Sequence, residues 1–475
     1  MNCKRIFSSI VAVIMLCVLS TTVAFADTAI EVGTEAELIN ALATAESGST
    51  IRLTADIELT ATLQINREGT FTIDGDGHSF TQAASFANGD TALMLGASAG
   101  FDDSTVATHV YTIENAAFEN FSGGSVIRAQ GVTVTIDNCL FKGFRATSAT
   151  SYSHVLVRLN FAEATVINSV FVDNKTPMVI CHNYDGDGSQ TNLTVSGCLF
   201  DENEVTGNGV VYYVEGGDCA VTGNQFVDNK VDNNGNCATL YLGFQSGCTV
   251  TGNLFENNAV NTTHASSKRV AGALFVGNNN VVTGNAFIGN TSTRNGEDSG
   301  LGQVVASVYY NPIDLSDNYW GGEAPVPGED YFVEYPTANE LVLDSYYNDY
   351  VVDDNGGVIT VNSVTGVALN KTTLALTNGA KETLTATVTP DNATNPAVVW
   401  TSSNEAVATV DANGVVTAVG LGNATITVTT VDGDFTASCA VTVAAPATGD
   451  MQLVLWTSLM AMAAAAFVVL RKYAK

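Results

Sequence analysis

Seven short segments between residues 125 and 311 each place an arginine, a histidine or an aromatic residue at what reads as one register position. They are Arg128 in SVIRAQ, Arg158 in HVLVRLN, His182 in VICHN, Tyr213 in VVYYVE, Tyr241 in TLYLGF, Phe275 in ALFVGN and Tyr309 in ASVYYN. If the segments are strands with apolar residues turned inward, these seven side chains form an outward line. Such a line suits sugar: aromatic faces take the apolar side of a pyranose, and guanidinium and imidazole reach hydroxyls or a carboxylate. The plainer reading is that outward aromatics only pack on one another. Glycoside cleavage would need two carboxylates about 5–9.5 Å apart, and the line holds no Asp or Glu pair. Its nearest acids are Glu215, and Asp185 and Asp187 in NYDGDGSQ after His182. Arg158, His182 and Asp185 would make a base-and-metal cluster, with DGDG as a calcium loop; a solvated turn is the simpler account of those acids. No other cofactor is expected.

The elements that position this line are legible in a repeat. VTGNQFVDN at 221–229 returns as VTGNLFENN at 250–258 and VTGNAFIGN at 282–290. More loosely, an aromatic recurs at Phe118, Phe141, Phe171, Phe200, Phe226, Phe255, Phe287 and Trp320, with spacings of 23, 30, 29, 26, 29, 32 and 33 residues. Five residues before each stands an apolar residue. Three before stands Asn115, Asn138, Asn168, Gly197, Gly223, Gly252, Gly284 or Asp317, types that enter the left-handed backbone region cheaply. Two before stands a small or amide residue: Ala116, Cys139, Ser169, Cys198, Asn224, Asn253, Asn285 or Asn318. Coils stacked at the roughly 4.8 Å strand spacing would let those amides bond as a ladder. FxxN supplies a second row at Asn174, Asn203, Asn229, Asn258 and Asn290.

A strand-like repeat of this length, bent at a fixed position, implies a solenoid. It resembles the right-handed parallel β-helix family, the pectin-lyase-like architecture. Residues 36–47 read as an amphipathic helix capping the first coil, followed by strands in STIRLTADIEL and GTFTIDGDG.

Residues 1–26 have the basic start, apolar centre and Ala24-Phe25-Ala26 ending of a secretory signal peptide. Residues 451–470 are apolar and long enough to span a bilayer as a helix, with Arg471 and Lys472 in a basic cytoplasmic tail over 471–475. Before them, in the segment 444–450, APATGD resembles the LPxTG cell-wall sorting signal at Pro446, Thr448 and Gly449, with Ala445 where the pattern has leucine. The resemblance implies cleavage between Thr448 and Gly449 by a sortase and linkage to peptidoglycan; a plain membrane anchor is the alternative. Both place the protein on the extracellular face of a Gram-positive-type cell, held in the wall or the membrane. All 48 acidic residues lie between the two end segments, against 13 basic ones there, a net charge of −35. Such a surface repels nucleic acid. Seven cysteines follow the leader, without zinc spacing, and read as buried thiols; Cys219 and Cys248 fall in register on adjacent coils.

From Val364 the pattern changes to short alternating strands with frequent turn signals, a small β-sandwich. This stretch resembles the bacterial immunoglobulin-like domain, group two, through Leu369-Asn370, Pro390, Trp400, Ser402-Ser403-Asn404, Val407-Ala408-Thr409-Val410, Gly414-Val415-Val416, Gly422, Ala424-Thr425-Ile426 and Cys439. The resemblance implies a spacer or adhesion module without catalytic residues.

The expected protein is all-β, with a right-handed parallel β-helix over 27–350, a linker over 351–363, an immunoglobulin-like domain over 364–443 and a C-terminal transmembrane helix. Its expected function is that of a surface-anchored adhesin or glycan-binding protein without catalytic activity, facing an extracellular glycan or a host or neighbour surface protein. The alternative is a cell-attached polysaccharide lyase or glycoside hydrolase.

Overall fold

The computed structural model describes residues 29–445 apart from 87–89, 97–107, 147–153, 184–190, 215–216, 244–246, 278–279, 308–312, 323, 328, 335–340, 343–345, 348 and 353–357. The chain divides into two compact units between Val361 and Asn362.

In the first unit one coil runs through Thr133–Asp137, Leu140–Lys142, Arg145–Ala146 and Val157–Asn160, and the next coil repeats this path with Glu163–Ile167, Val170–Val172, Lys175–Thr176 and Ile180–Asn183. Stacking the coils gives four long sheets of 10, 11, 8 and 10 strands, named first to fourth here in the order the chain visits them. Neighbouring strands are parallel, except that Glu297–Asp298 closes the third sheet antiparallel to Thr291–Arg294. The repeat explains the register. Phe118, Phe141, Phe171, Phe200, Phe226, Phe255, Phe287 and Trp320 form one column inside the coil, with successive ring centroids 4.7–5.3 Å apart. All eight residues three before these aromatics have positive φ, from 50° to 69°. The chain also bends two residues after each of the seven phenylalanines, at Asn120, Gly143, Asp173, Glu202, Asp228, Asn257 and Gly289, again at positive φ.

Both amide ladders are present. Asn224 Nδ2 donates to Asn253 Oδ1 (2.9 Å), Asn253 to Asn285 (2.9 Å) and Asn285 to Asn318 (3.0 Å). The second ladder runs from Asn174 through Asn203, Asn229 and Asn258 to Asn290 at 2.8–2.9 Å and ends on Gln303 Oε1. Each rung also donates to a backbone carbonyl, as Asn253 does to Val221 O at 2.8 Å. Buried amides therefore satisfy the bends that the repeat forces on the backbone. Outside, the first sheet carries a threonine row, Thr50, Thr72, Thr112, Thr135, Thr165 and Thr194, in strand-to-strand register, the cross-strand pairing that stabilises an exposed sheet face.

The helix spans Glu35–Thr44 and buries Leu38, Ala41 and Leu42 against the first coil. Thr34 Oγ1 accepts from Glu37 N and the Glu37 carboxylate accepts from Gly33 N, a capping box. All seven cysteines after the leader are buried free thiols, and Cys219 and Cys248 are strand partners. The segment read as a linker from residue 351 holds paired strands instead: Asp349–Val352 is antiparallel to Val358–Val361. The β-branched residues on each side of DDNGG supply the strands, and DDNGG has turn composition.

In the second unit, sheets of four, three and two strands surround a core of Leu374, Leu376, Leu384, Ala408, Val416, Ile426, Cys439 and Val441, with Trp400 packed on it. Gly414, at φ 75°, is required there, because a Cβ would lie 2.3 Å from Leu384 O and 2.9 Å from the Trp400 ring. No helix among the described residues is long and apolar enough to cross a membrane, and residues 451–470 lie outside them.

Candidate functional site

Strand pairing fixes the outer row of the fourth sheet as Met94, Arg128, Arg158, Cys181, Tyr212, Tyr241, Phe275 and Val305. Arg128, Arg158, Tyr241 and Phe275 stand where the sequence places them. His182 and Tyr213 do not. Cys181 and Tyr212 take the outward positions, and His182 and Tyr213 point into the coil, 2% and 0% exposed. With a side-chain period of two, a one-residue error exchanges the faces. The error arises because VICHN and VVYYVE are apolar on both faces: Cys181 is covered on the outside together with Val155 and Met178, and Tyr212 packs on that cluster.

Inside the coil the His182 ring lies 5.0 Å from that of Tyr213. Its Nε2 is 3.0 Å from the Ala162 carbonyl and 3.2 Å from the Thr191 hydroxyl, and its Nδ1 is buried without a partner. Burial pulls the imidazole down to about 4, with the Ala162 carbonyl opposing. His182 is therefore neutral at physiological pH and cannot act as a surface base or cation. Tyr213 donates to the Gly217 carbonyl at 2.7 Å, and burial raises its phenol.

Tyr241 and Phe275 stack at 4.6 Å, but with exposures of 6% and 0% they offer no free face to a sugar. Tyr309, Asp185, Asp187 and Glu215 lie outside the described residues, as do Thr448 and Gly449. Among the described residues no group of three or more His, Cys, Asp or Glu could hold a metal.

What the fold does bring together is a smaller cluster. Arg128 and Arg158 are strand partners, both half-buried, so two guanidinium groups sit one coil apart. Each has an amide two residues on, on the same face. Arg128 Nη2 donates to Gln130 Oε1 at 2.8 Å. Asn160, with its amide oxygen turned toward Arg158, accepts from Nη2 at 3.2 Å. Gln130 and Asn160 are also strand partners and are buried, so they hold the guanidinium planes in place. Along the row come Cys181, whose thiol burial pushes up to about 12, and then the half-buried ring of Tyr212. From Arg128 to Tyr212 is three strand spacings, about 14 Å, with the covered Cys181 between Arg158 and Tyr212. Sequence reading missed Tyr212 by one position, and the repeated Arg-x-amide spacing of Arg128/Gln130 and Arg158/Asn160 was the signal available for the pair. Among the described strands of this sheet, none of those before Tyr331–Glu334 contains an Asp or Glu.

Residues 71–255 match the family of the right handed beta helix region, and residues 363–441 match the bacterial Ig-like domain, group 2. The chain carries a right-handed β-helix and a bacterial Ig-like domain. Several relatives share a shorter stretch. An uncharacterized protein of Clostridium acetobutylicum is 38% identical over 103 residues, 21% of this chain and 26% of that protein. An alpha-L-arabinofuranosidase of Bifidobacterium longum is 44% identical over 110 residues, 21% of this chain and 10% of the enzyme. An Ig-like virion protein of Serratia phage KSP90 is 44% identical over 99 residues, 19% of this chain and 38% of that protein. The chain thus spans well under half the length of each relative, and the shared stretches are of a size with the Ig-like domain rather than the β-helix.

Proposed function

We propose that this chain is a surface-displayed glycan-binding adhesin without catalytic activity, whose β-helix holds a sugar chain along the outer face of the fourth sheet at Arg128, Arg158 and Tyr212. The in-register arginine pair, each guanidinium held by a buried amide, carries this reading. Planar, pre-organised donors match vicinal hydroxyls or a carboxylate, and Tyr212 supplies a ring edge or face beside them. The absence of a carboxylate pair among the described strands of this face favours binding over hydrolysis, because glycoside hydrolysis uses such a pair. Relatives named for sugar chemistry, among them the alpha-L-arabinofuranosidase, support a carbohydrate setting outside the cell. A glycan-array screen of the full chain, followed by product assays on each polymer bound, tests this. Retention without cleavage is expected. Cleavage of a bound polymer would replace the adhesin with an enzyme, and retention of no glycan would leave a protein-binding adhesin or a stalk.

Display on the cell is proposed to depend on Thr448 and Gly449, with a sortase joining Thr448 to peptidoglycan. Thr448→Ala is then expected to shift the protein out of the detergent-resistant wall fraction. Wild-type levels in that fraction would leave only an anchor in the membrane.

A further inference from the structure

A second polar site lies on the same β-helix, where the turns between the third and fourth sheets of two adjacent coils face each other. Asn234, Gly235 and Asn236 from one turn and His264, Ser266, Ser267, Lys268 and Arg269 from the next line a cleft of about 580 Å³. Lysine and arginine total 18 in the chain against 48 acids, yet this cleft gathers Lys268, Arg269 and His264, and no acid lines it. The nearby Asp232 is engaged: it pairs with Lys230 at 3.0 Å and accepts from Asn261.

The walls are built rather than loose. Ser267 is buried and its hydroxyl donates to Asn236 Oδ1 at 2.7 Å; the Asn236 carbonyl accepts from Asn208 Nδ2 (2.8 Å) and Asn233 Nδ2 (3.1 Å); and Cys237 N donates to the Arg269 carbonyl. From the following coil Arg294 Nη2 donates to the Ser267 carbonyl, while its Nε is buried without a partner, adding positive charge behind the turn. The Arg269 guanidinium lies 5.9 Å from the Phe275 centroid, at the outer limit of a cation–π contact. Lys268 is exposed and makes no ion pair among the described residues.

We infer that this cleft binds the carboxylate of a single acidic sugar unit at the end of a glycan. The basic residues select the anion, the amide and hydroxyl groups of Asn234, Asn236 and Ser266 suit sugar hydroxyls, and the volume fits one small unit rather than a continuous chain. The saccharide part rests on the glycan-binding reading; the preference for an anion rests on the cleft's own residues. Titration of the full chain with N-acetylneuraminate and with glucuronate, each against its methyl ester and against inorganic sulfate, tests it. At least one acid should bind and its ester should not, with binding weakened by salt. Lys268→Ala should lower that affinity about three- to five-fold, and Lys268→Arg should restore it. Lys142→Ala, an exposed cation on the second sheet and outside both sites, should leave it unchanged. Equal binding of acid and ester, sulfate bound as well as either acid, or wild-type affinity in Lys268→Ala would overturn the proposal. Loss in Arg158→Ala instead would move the anion to the fourth sheet. If no acid binds while neutral glycans are retained, the cleft proposal fails and the adhesin reading stands.

Discussion

Replacing Asn253 by leucine is expected to destabilise the β-helix by on the order of 3–5 kcal/mol, since more than one buried polar group loses its partner at about 1–3 kcal/mol each. Asn253 Oδ1 accepts from both the backbone N–H and the side-chain amide of Asn224, at 2.9 Å each. Its Nδ2 donates to the Val221 carbonyl and to Asn285 Oδ1. Leucine has similar volume but meets none of these groups, and the site is 0% exposed, so no water replaces them. Because each coil contacts chiefly its neighbours, the damage should begin at the coils of Asn224 and Asn285. Circular dichroism melts should show a lower midpoint, and hydrogen exchange should show early loss of protection at the Asn224 amide. An unchanged melt with full protection there would contradict the ladder.

The second large effect is a pH dependence from His182. Its pKa is about 4 in the fold against an ordinary 6.5, so between these values the unfolded chain binds the extra proton. Stability from the neutral, buried ring is complete above about pH 6.5 and is lost as pH falls toward 4, a change of about 3 kcal/mol. Asp201 acts in the opposite sense. Burial, then Glu202 and Asp228, raise its carboxyl to about 6, so its contribution falls as pH rises from about 4 to 6, and partial exposure reduces it. Comparing wild type with His182→Gln separates the two. The stability difference between them should shrink steadily from pH 6.5 to 4 in denaturant titrations. A difference independent of pH would mean that the ring titrates as it does in water.

Much of this fold is written in residue types that the backbone demands. Asn115, Asn138, Asn168, the four glycines from Gly197 to Gly284 and Asp317 mark the first bend because that bend needs positive φ, and the aromatic three residues later must fill one column. The second bend carries the same residue types, at Asn120, Gly143, Asp173, Asp228, Asn257 and Gly289 with Glu202 the one exception, and it was missed because turns and surface loops favour those types as well. The candidate site was half legible for a related reason. Arg128 and Arg158 announce an outer face by their charge, whereas Cys181 is covered and the half-buried Tyr212 packs on the same apolar cluster, so both faces of those strands read as apolar and the alternation disappears. The burial of Tyr241 and Phe275 has the same origin: aromatic residues in an outward row mark a sugar platform only when nothing lies over them. Lys268 and Arg269 are neighbours in the sequence, but the cleft they line was invisible along the chain, because Asn234 and Asn236 reach them only through stacking of adjacent coils.

Binding of the best array ligand to Arg158→Ala tests the account most directly. Hydrogen bonds from a charged donor contribute on the order of 1.5–3 kcal/mol, so titration calorimetry should show affinity about ten-fold or more below wild type, with an unchanged melting curve and no product released from the ligand by either protein. Equal affinity in the two proteins would contradict the assignment of the glycan to the arginine pair on the fourth sheet.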